Sequence, residues 1–267
     1  MKKMLSLALS LVLLLGLAAC GNSFEDAMAK AQAASAELES MHFDMTMEMS
    51  YSISADGQSI DMPVSMDMSM DVINEPFKCD GTVTMDMMGV QANARSYITS
   101  DSDGSYVSYT SADDGATWQT QTLDEDQLGQ YDASKSLEFY LDAAESFSLT
   151  GEEELDGVKA LRYDGAITGD KLNEAMALTG ADDMISSTAG TEAPSFEGSM
   201  AMTIWLDSES YLPLRYDLDM GEIMTNYMQQ TVSGADGVTI DSVIATVSMR
   251  LSNFDGISDI PVPEGIA

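Results

Sequence analysis

The feature that most constrains this chain is a regular alternation of apolar and polar side chains in two long segments near the N-terminus. From Asp44 onward, methionine, tyrosine or isoleucine occupies every second position as far as Ile53. After Asp56-Gly57, a dipeptide typical of tight turns, the alternation resumes from Val64 to Val72. Successive side chains of a strand point to opposite faces of a sheet. The two segments therefore predict a long antiparallel hairpin with one methionine-rich face and one solvated face.

Similar patterns predict the other elements of an α+β fold. Ser23 to Asp26 has the form of a capping box, and the apolar residues that follow at helical spacing predict a helix over 24–40. Further helices are predicted at 134–146, 169–179 and 220–228, and a polar loop at 181–198. The remaining predicted strands cover residues 77–88, 91–99, 104–110, 116–122, 158–167, 200–206, 212–218 and 238–254.

The first twenty residues have the pattern of an export signal. Lys2 and Lys3 precede an apolar run from Met4 to Leu15, and Leu17-Ala18-Ala19-Cys20 follows. The run is too short to span a bilayer as a stable helix. This arrangement resembles the signal peptide and lipobox of bacterial lipoproteins, in which a signal peptidase cuts before the cysteine and the cysteine sulfur is diacylated.

That resemblance implies a division of the chain. Residues 1–19 are expected to be a signal peptide that is removed, residues 20–23 a lipidated tether, and residues 24–267 a single domain. Two acyl chains on Cys20 give stable membrane attachment, whereas one chain gives only reversible binding. We therefore expect a protein anchored to the cell membrane by a diacylglyceryl group, with its domain on the extracytoplasmic face.

The charge of the chain excludes one class of partner. With 11 basic and 45 acidic residues the formal net charge is −34, and loss of Lys2 and Lys3 with the signal peptide makes the mature chain still more negative. Such a surface repels phosphate backbones. We therefore expect no nucleic-acid partner, and the protein partners are unknown.

Individual reactive side chains do not form a catalytic set. Once Cys20 is acylated, Cys79 has no disulfide partner, and a free cysteine in a strand-like segment is typically a small buried core residue. His42 is the only histidine, and one imidazole without further ligands does not make a zinc or iron site. The sequence thus predicts no enzyme activity, no catalytic residue, no cofactor and no metal ligands of the usual kind.

One short motif has a structural interpretation. Ser111-Ala112-Asp113-Asp114-Gly115-Ala116-Thr117-Trp118 fits the Asp-box pattern, which is a hairpin turn in sialidases and other propellers. A propeller needs several copies at regular spacing. We therefore predict a stable turn and not a sialidase.

The order of elements resembles a known group of proteins. A lipobox, a first helix ending near Met41, long Met-rich alternating strands and the segment Trp205 to Leu214 are together similar to uncharacterised Gram-positive lipoproteins with a LolA/LppX-like fold. This resemblance implies a strongly curved antiparallel sheet, or half-barrel, with helices on its concave side. It also implies an apolar cavity for a lipid or another apolar ligand. The candidate cavity residues are Met45, Met47, Met49, Met66, Met68, Met70, Met200, Met202 and Ile204.

Other interpretations of the methionines stay open. A methionine stripe on a strand is often plain core, in which case the protein would be a structural or protein-interaction lipoprotein without a small ligand. Met-x-Met repeats such as Met45-Thr46-Met47 also suit Cu(I), because thioether sulfur is a soft ligand. Methionines alternating along one strand are about 6.6–7 Å apart, so a copper site would need methionines from neighbouring strands.

Overall fold

A computed structural model describes the protein over residues 23–55, 58–100, 105–123, 146–169, 171–174, 196–232 and 238–266. Within these ranges, eleven strands form one open, curved, antiparallel sheet, and two helices of twelve residues accompany it. The elements are α1 (Phe24–Ser35), β1 (Ser40–Ala55), β2 (Gln58–Ile73), β3 (Lys78–Met87), β4 (Val90–Ser100), β5 (Tyr106–Ser111), β6 (Gln119–Leu123), β7 (Ser148–Leu155), β8 (Val158–Thr168), β9 (Ser199–Asp207), β10 (Pro213–Asp219), α2 (Gly221–Val232) and β11 (Val238–Ser252).

The strand order in the sheet is β6-β5-β4-β3-β2-β1-β11-β10-β9-β8-β7. Strands β1 to β6 follow one another as a meander, and β7 to β11 form a second meander that returns to the first strand. The two halves join where β1 pairs with β11, with His42 opposite Ser252 at one end and Ala55 opposite Val238 at the other. The sheet is therefore held together at its centre by a pairing between the two ends of the domain.

The predicted hairpin is confirmed as the β1–β2 pair. Its register is unbroken from Ser40 opposite Ile73 to Ala55 opposite Gln58. Because directly opposed residues of an antiparallel pair project from the same face, this register places the methionines of both strands together. The sheet thus has an apolar face and a polar face, as the alternation predicts.

Helix α1 packs on the apolar face through one stripe. Ser23 caps its N-terminus, with the Asp26 amide donating to the Ser23 Oγ at 3.1 Å. The buried residues recur at helical spacing, and Phe24 stacks on Phe147 with ring centroids 4.4 Å apart. The buried stripe consists of Phe24, Ala27, Met28 and Ala31. These four residues belong to the same core cluster as the apolar face of the second half of the sheet.

Helix α2 covers the part of the apolar face formed by β11 and β9. Its first turn is fixed by the amide of Met220, which donates to the carbonyl of Ala245 at 2.8 Å. Ile223 and Tyr227 are buried in the core cluster, and Tyr227 stacks on Phe196 with centroids 5.1 Å apart. Both helices thus lie over the same face of the sheet.

The C-terminal segment 253–266 crosses to the other half of the sheet. The Lys78 ammonium binds the Asp259 carboxylate at 2.6 Å, and Ile260 is buried. Farther on, the Trp118 indole N–H donates to the carbonyl of Glu264 at 3.1 Å. The segment therefore links the start of β3 to the turn between β5 and β6.

Two differences from the sequence prediction have clear causes. Strand β7 is not predicted, because it is an exposed edge strand whose alternation is interrupted by a bulge between Leu149 and Gly151. Helix α1 ends at Ser35 and not near residue 40, because Ser40 already pairs in the sheet and its hydroxyl accepts the amide of Ile257 at 3.1 Å.

Some predictions fall outside the described residues. The predicted helix at 134–146, apart from its last residue, and most of the loop at 181–198 lie there. Of the predicted helix at 169–179, residues 171–174 are described and are helical.

Candidate functional site

The apolar face carries all nine residues that the sequence analysis names as cavity candidates. Met68 lies opposite Met45, and Met45 lies opposite Met249 of β11. Met249 in turn lies opposite Tyr216, which lies opposite Ile204. This row crosses the whole centre of the sheet, so the methionines of β1 and β2 share one continuous face with the apolar residues of β9.

Burial divides these nine residues into two groups. Met70, Met200, Met202 and Ile204 are buried inside the core cluster, and Met49 and Met68 pack against that cluster. Met45, Met47 and Met66 are half-buried, and in the described part of the chain they belong neither to the cluster nor to the residues packed against it. The first group therefore includes core residues that hold the sheet and helices together, while the second group lies beyond the core.

The second group is part of a larger surface, which we call the open apolar face. It extends toward the β1–β2 and β3–β4 turns, where exposure rises: Met85 is 36% exposed, Met87 52% and Val90 72%. The open apolar face is formed by Met45, Met47, Met62, Val64, Met66, Val83, Met85, Met87, Val90, Ala92 and Ala94. Met85 and Met87 were missed as site candidates, although the alternation Val83, Met85, Met87 is visible in the sequence.

The chemistry of the open apolar face is uniform. None of its side chains carries a charge. Six of the eleven are methionine thioethers, three are valines and two are alanines. Contiguous exposed apolar surface of this kind marks interaction sites in soluble proteins. The surface can therefore bind apolar groups, soft ions or another apolar surface.

The polar face carries a cavity of about 630 Å³ across β1, β11, β10, β9 and β8. Sequence reasoning did not foresee it, because the strands that form it are far apart in the chain. Its polar lining residues are Thr46, Glu48, Arg162, Asp164, Thr203, Arg215, Asp217, Asp219, Thr246 and Ser248.

The guanidinium groups at this cavity already bind carboxylates and an aromatic ring of the protein itself. Trp205 is only 5% exposed and lies between Arg162 and Arg215, whose guanidinium carbons are 5.5 and 5.0 Å from its ring centroid. Arg215 binds Asp217 through two hydrogen bonds of 2.8 and 2.7 Å. Hydrogen bonds from Arg162 and then Trp205 lower the pKa of the Glu153 carboxyl. With more carboxylates than guanidinium groups in its lining, the cavity does not favour anions.

The register also explains where the arginines lie. Arg162 is opposite Trp205, Trp205 is opposite Arg215, and Arg215 is opposite Arg250. The same row continues through β1 and β2 to reach Arg95 on β4. All four arginines of the chain thus occupy one lateral row on the polar face, where they offset the carboxylates of neighbouring strands.

His42 and Cys79 lie away from the open apolar face. On the polar face, the His42 Nδ1 is 2.7 Å from Asp71 and its Nε2 is 3.2 Å from Asp44. Cys79 is fully buried in the core cluster, and burial, with a smaller effect from Asp80, raises the pKa of its thiol to about 12. A thiol in that state is a poor nucleophile.

The Asp-box sequence forms the predicted turn. The Asp113 carboxylate accepts from the Thr117 amide at 2.8 Å and from the Thr117 hydroxyl at 2.7 Å. The Ser111 hydroxyl accepts from the Gly115 amide at 2.8 Å. The motif therefore closes on itself and directs Trp118 toward the C-terminal segment.

Clustered metal ligands and membrane-spanning helices are both absent from the described residues. Among the described residues, no three histidine, cysteine or carboxylate side chains are grouped closely enough to hold a metal ion. Within the same ranges, no helix has the length and apolar character needed to cross a membrane.

Comparison with known proteins finds one matching family and solved structures with a similar fold. Residues 23–267 match a family of unknown function, DUF6612. The crystal structure of LprF from Mycobacterium bovis is similar, with a TM-score of 0.50 and 12% identity over 90% of this chain and 97% of that one. The crystal structure of the Mycobacterium tuberculosis lipoprotein LppX has a TM-score of 0.40 and 12% identity over 89% of this chain and 97% of that one. No curated protein matches the sequence.

The likeness to LprF concerns the fold alone, because the sequences are only 12% identical. It confirms the open, curved antiparallel sheet that the resemblance to LolA/LppX-like lipoproteins implies.

Proposed function

We propose that this chain, which belongs to the DUF6612 family of unknown function, is a lipid-anchored extracytoplasmic protein that binds a lipid or another apolar ligand. The ligand site is the open apolar face. One observation carries this proposal: a methionine-rich surface continues directly from the core, yet the described residues of the core do not pack against Met45, Met47 or Met66.

The energetics of such a surface suit an acyl chain. Burial of each methylene contributes about 0.8 kcal/mol, so ten methylenes contribute about 8 kcal/mol before the cost of immobilising the ligand. Methionine side chains are flexible and polarizable, and they repack around ligands of different shape. A methionine-lined face therefore suits chains of variable length better than a face of branched residues.

The position of α1 supports a location next to the membrane. Its capping residue, Ser23, follows the predicted lipidation site Cys20 by three residues. Three extended residues span about 10 Å. With Phe24 stacked on Phe147, a lipid on Cys20 holds the sheet close to the bilayer, from which an apolar ligand can be taken.

Enzyme activity is not part of the proposal. The described residues with shifted pKa values are a buried thiol, a partly exposed histidine, two tyrosines, two arginines and carboxylates already bound to arginine, lysine or threonine. None of them is among the eleven residues of the open apolar face, although Tyr51 borders it opposite Met62. The binding function therefore needs no catalytic group.

The proposal is tested with the chain from Gly21 onward, expressed in a bacterial cytoplasm and examined by native mass spectrometry after purification. We expect an adduct with the mass of a lipid, which organic extraction then identifies. Met47→Asp with Met66→Asp places two charges on the open apolar face and should abolish the adduct in a protein that remains folded.

A matched control places the same charges on the opposite face. Ser50→Asp with Thr82→Asp changes the β1 and β3 strands on the polar side, and the adduct should persist. If the unsubstituted protein carries no adduct, and acquires none after incubation with phospholipid vesicles, the proposal is wrong. The open apolar face would then be a surface for a protein partner, as in a structural or protein-interaction lipoprotein.

A further inference from the structure

Within the open apolar face, the sheet register aligns three methionines in one lateral row. Met47 of β1 is directly opposite Met66 of β2, and Met66 is directly opposite Met85 of β3. Opposed side chains in an antiparallel sheet have Cβ atoms about 4.5–5.5 Å apart. The three thioether sulfurs can therefore converge on one point above the sheet, which methionines alternating along a single strand cannot do.

A second methionine row lies one step along the strands, but its surroundings differ. It consists of Met249, Met45 and Met68. Met68 and Met249 pack against the core cluster, so their side chains have apolar neighbours on the protein itself. Among the described residues, Met47, Met66 and Met85 have no such packing against the core cluster, and Met85 is 36% exposed. An ion can thus reach this row from solvent.

We propose that the thioethers of Met47, Met66 and Met85 bind Cu(I). Thioether sulfur is a soft ligand that selects Cu(I) over hard cations, which prefer carboxylate and water oxygens. The face around the row carries no charged side chain, and the hard carboxylates of β1 and β2 project from the opposite side. A formal net charge of −34 attracts cations to the protein, and the three thioether sulfurs select the soft cation among them.

This site is distinct from the lipid-binding function, although it lies on the same surface. Lipid binding depends on the apolar area of the face, whereas copper binding depends on the sulfur atoms. Leucine preserves the area and removes the sulfur. A substitution of methionine by leucine therefore separates the two properties.

The experiment measures Cu(I) affinity by competition with a chromogenic Cu(I) chelator, without oxygen and with a reductant present. Ag(I), which needs no reductant, is titrated in parallel and followed by native mass spectrometry. The test variant is Met47→Leu, Met66→Leu and Met85→Leu together. We expect it to bind Cu(I) more than about 100-fold more weakly, since loss of outer-shell support alone weakens metal sites 10- to 100-fold.

The control variant is Met62→Leu, Met87→Leu and Met88→Leu together. It removes the same number of thioethers from the same hairpins, but Met62 is opposite Tyr51 and Met87 is opposite Val64. Because these three methionines are outside the proposed row, the affinity of the control variant for Cu(I) should equal that of the unsubstituted protein within about threefold.

X-ray absorption of the Cu(I) complex should show a first shell of sulfur only, without nitrogen or oxygen. The proposal is wrong if the unsubstituted protein does not compete with the chelator, or if the test and control variants lose affinity equally. It is also wrong if the test variant binds as tightly as the unsubstituted protein. A test variant that loses copper but keeps its lipid adduct would support the copper site and leave the lipid function intact.

Discussion

At the scale of single residues, the surroundings of a side chain decide whether it reacts. The Cys79 thiol is in the core cluster, where burial keeps it protonated. His42, by contrast, is on the polar face between two carboxylates. Burial lowers its pKa, but the hydrogen bond to Asp71 and the charge of Asp44 outweigh that effect, so the pKa is raised above its ordinary value of 6.5.

This environment predicts a pH dependence of stability. A raised folded-state pKa means that protonated His42 stabilises the fold fully below its unfolded-state pKa of 6.5, and that this contribution is lost as pH rises through the folded-state pKa. His42→Gln should therefore lower the free energy of unfolding by up to about 1 kcal/mol in acid and by much less in alkali, because the site is partly exposed.

The measurement is urea denaturation of both proteins at about pH 5.5 and about pH 8.5, on either side of the range in which histidine titrates. The quantity compared is the difference between the two proteins, because other groups titrate in both. An equal difference at the two pH values would show that the His42 contacts do not depend on its charge.

At the scale of elements, close approach between the sheet and α1 depends on a position without a side chain. Gly165 of β8 lies under the ring of Phe147, which stacks on Phe24. A Cβ at Gly165 would be 2.5 Å from the nearest ring atoms of Phe147. The missing side chain therefore allows Phe147 to connect β8 with α1.

Gly165→Ala should destabilise the fold by about 1–3 kcal/mol, the usual cost of overpacking a core, because the Phe147 ring must move away from Phe24. Thermal unfolding followed by circular dichroism measures the effect. Gly151→Ala is the matched control, since a Cβ there meets no atom within 4 Å and lies on the neighbouring edge strand. Equal melting temperatures for the two variants would contradict the packing argument.

At the scale of the whole molecule, two features act together. The β1–β11 pair joins the two halves of the open sheet at its centre, and the segment 253–266 passes the start of β3 on its way to Trp118. These contacts join the N-terminal and C-terminal parts of the chain. The domain that follows the predicted lipidated tether is thus fixed to the tether through α1 and the core cluster.

The proposed anchor gives a prediction for the full-length protein in a bacterial cell that processes lipoproteins. Cys20→Ala should abolish incorporation of a labelled fatty acid and release the protein from the membrane fraction, because both acyl chains depend on that sulfur. Cys79→Ala is the control, since the Cys79 thiol is buried and should not be acylated. Membrane retention and labelling of the Cys20→Ala variant would show that the anchor lies elsewhere.

Much of the fold can be predicted from the sequence because local patterns determine it. Alternation from Asp44 to Val72 predicts the β1–β2 hairpin, and the same signal locates β3, β4, β8, β9, β10 and β11 to within a few residues. Edge strand β7 is not predicted, because most of its side chains are exposed and a bulge interrupts it. Its sequence therefore shows no regular alternation of apolar and polar residues. The sequence predicts that the nine cavity candidates share one face. It does not predict which of them belong to the core.

Alternation in the sequence is enough to predict that methionine side chains line one face of a sheet, because the period of a strand is two whatever lies beside it. Which methionines are core depends on where α1, α2 and β11 pack, and this packing makes Met70 and Met202 core while Met47 and Met66 lie outside it. Strand pairing also places Met47, Met66 and Met85 in one row and the four arginines in another. Cross-strand register is a property of paired strands, and no single segment of sequence contains it.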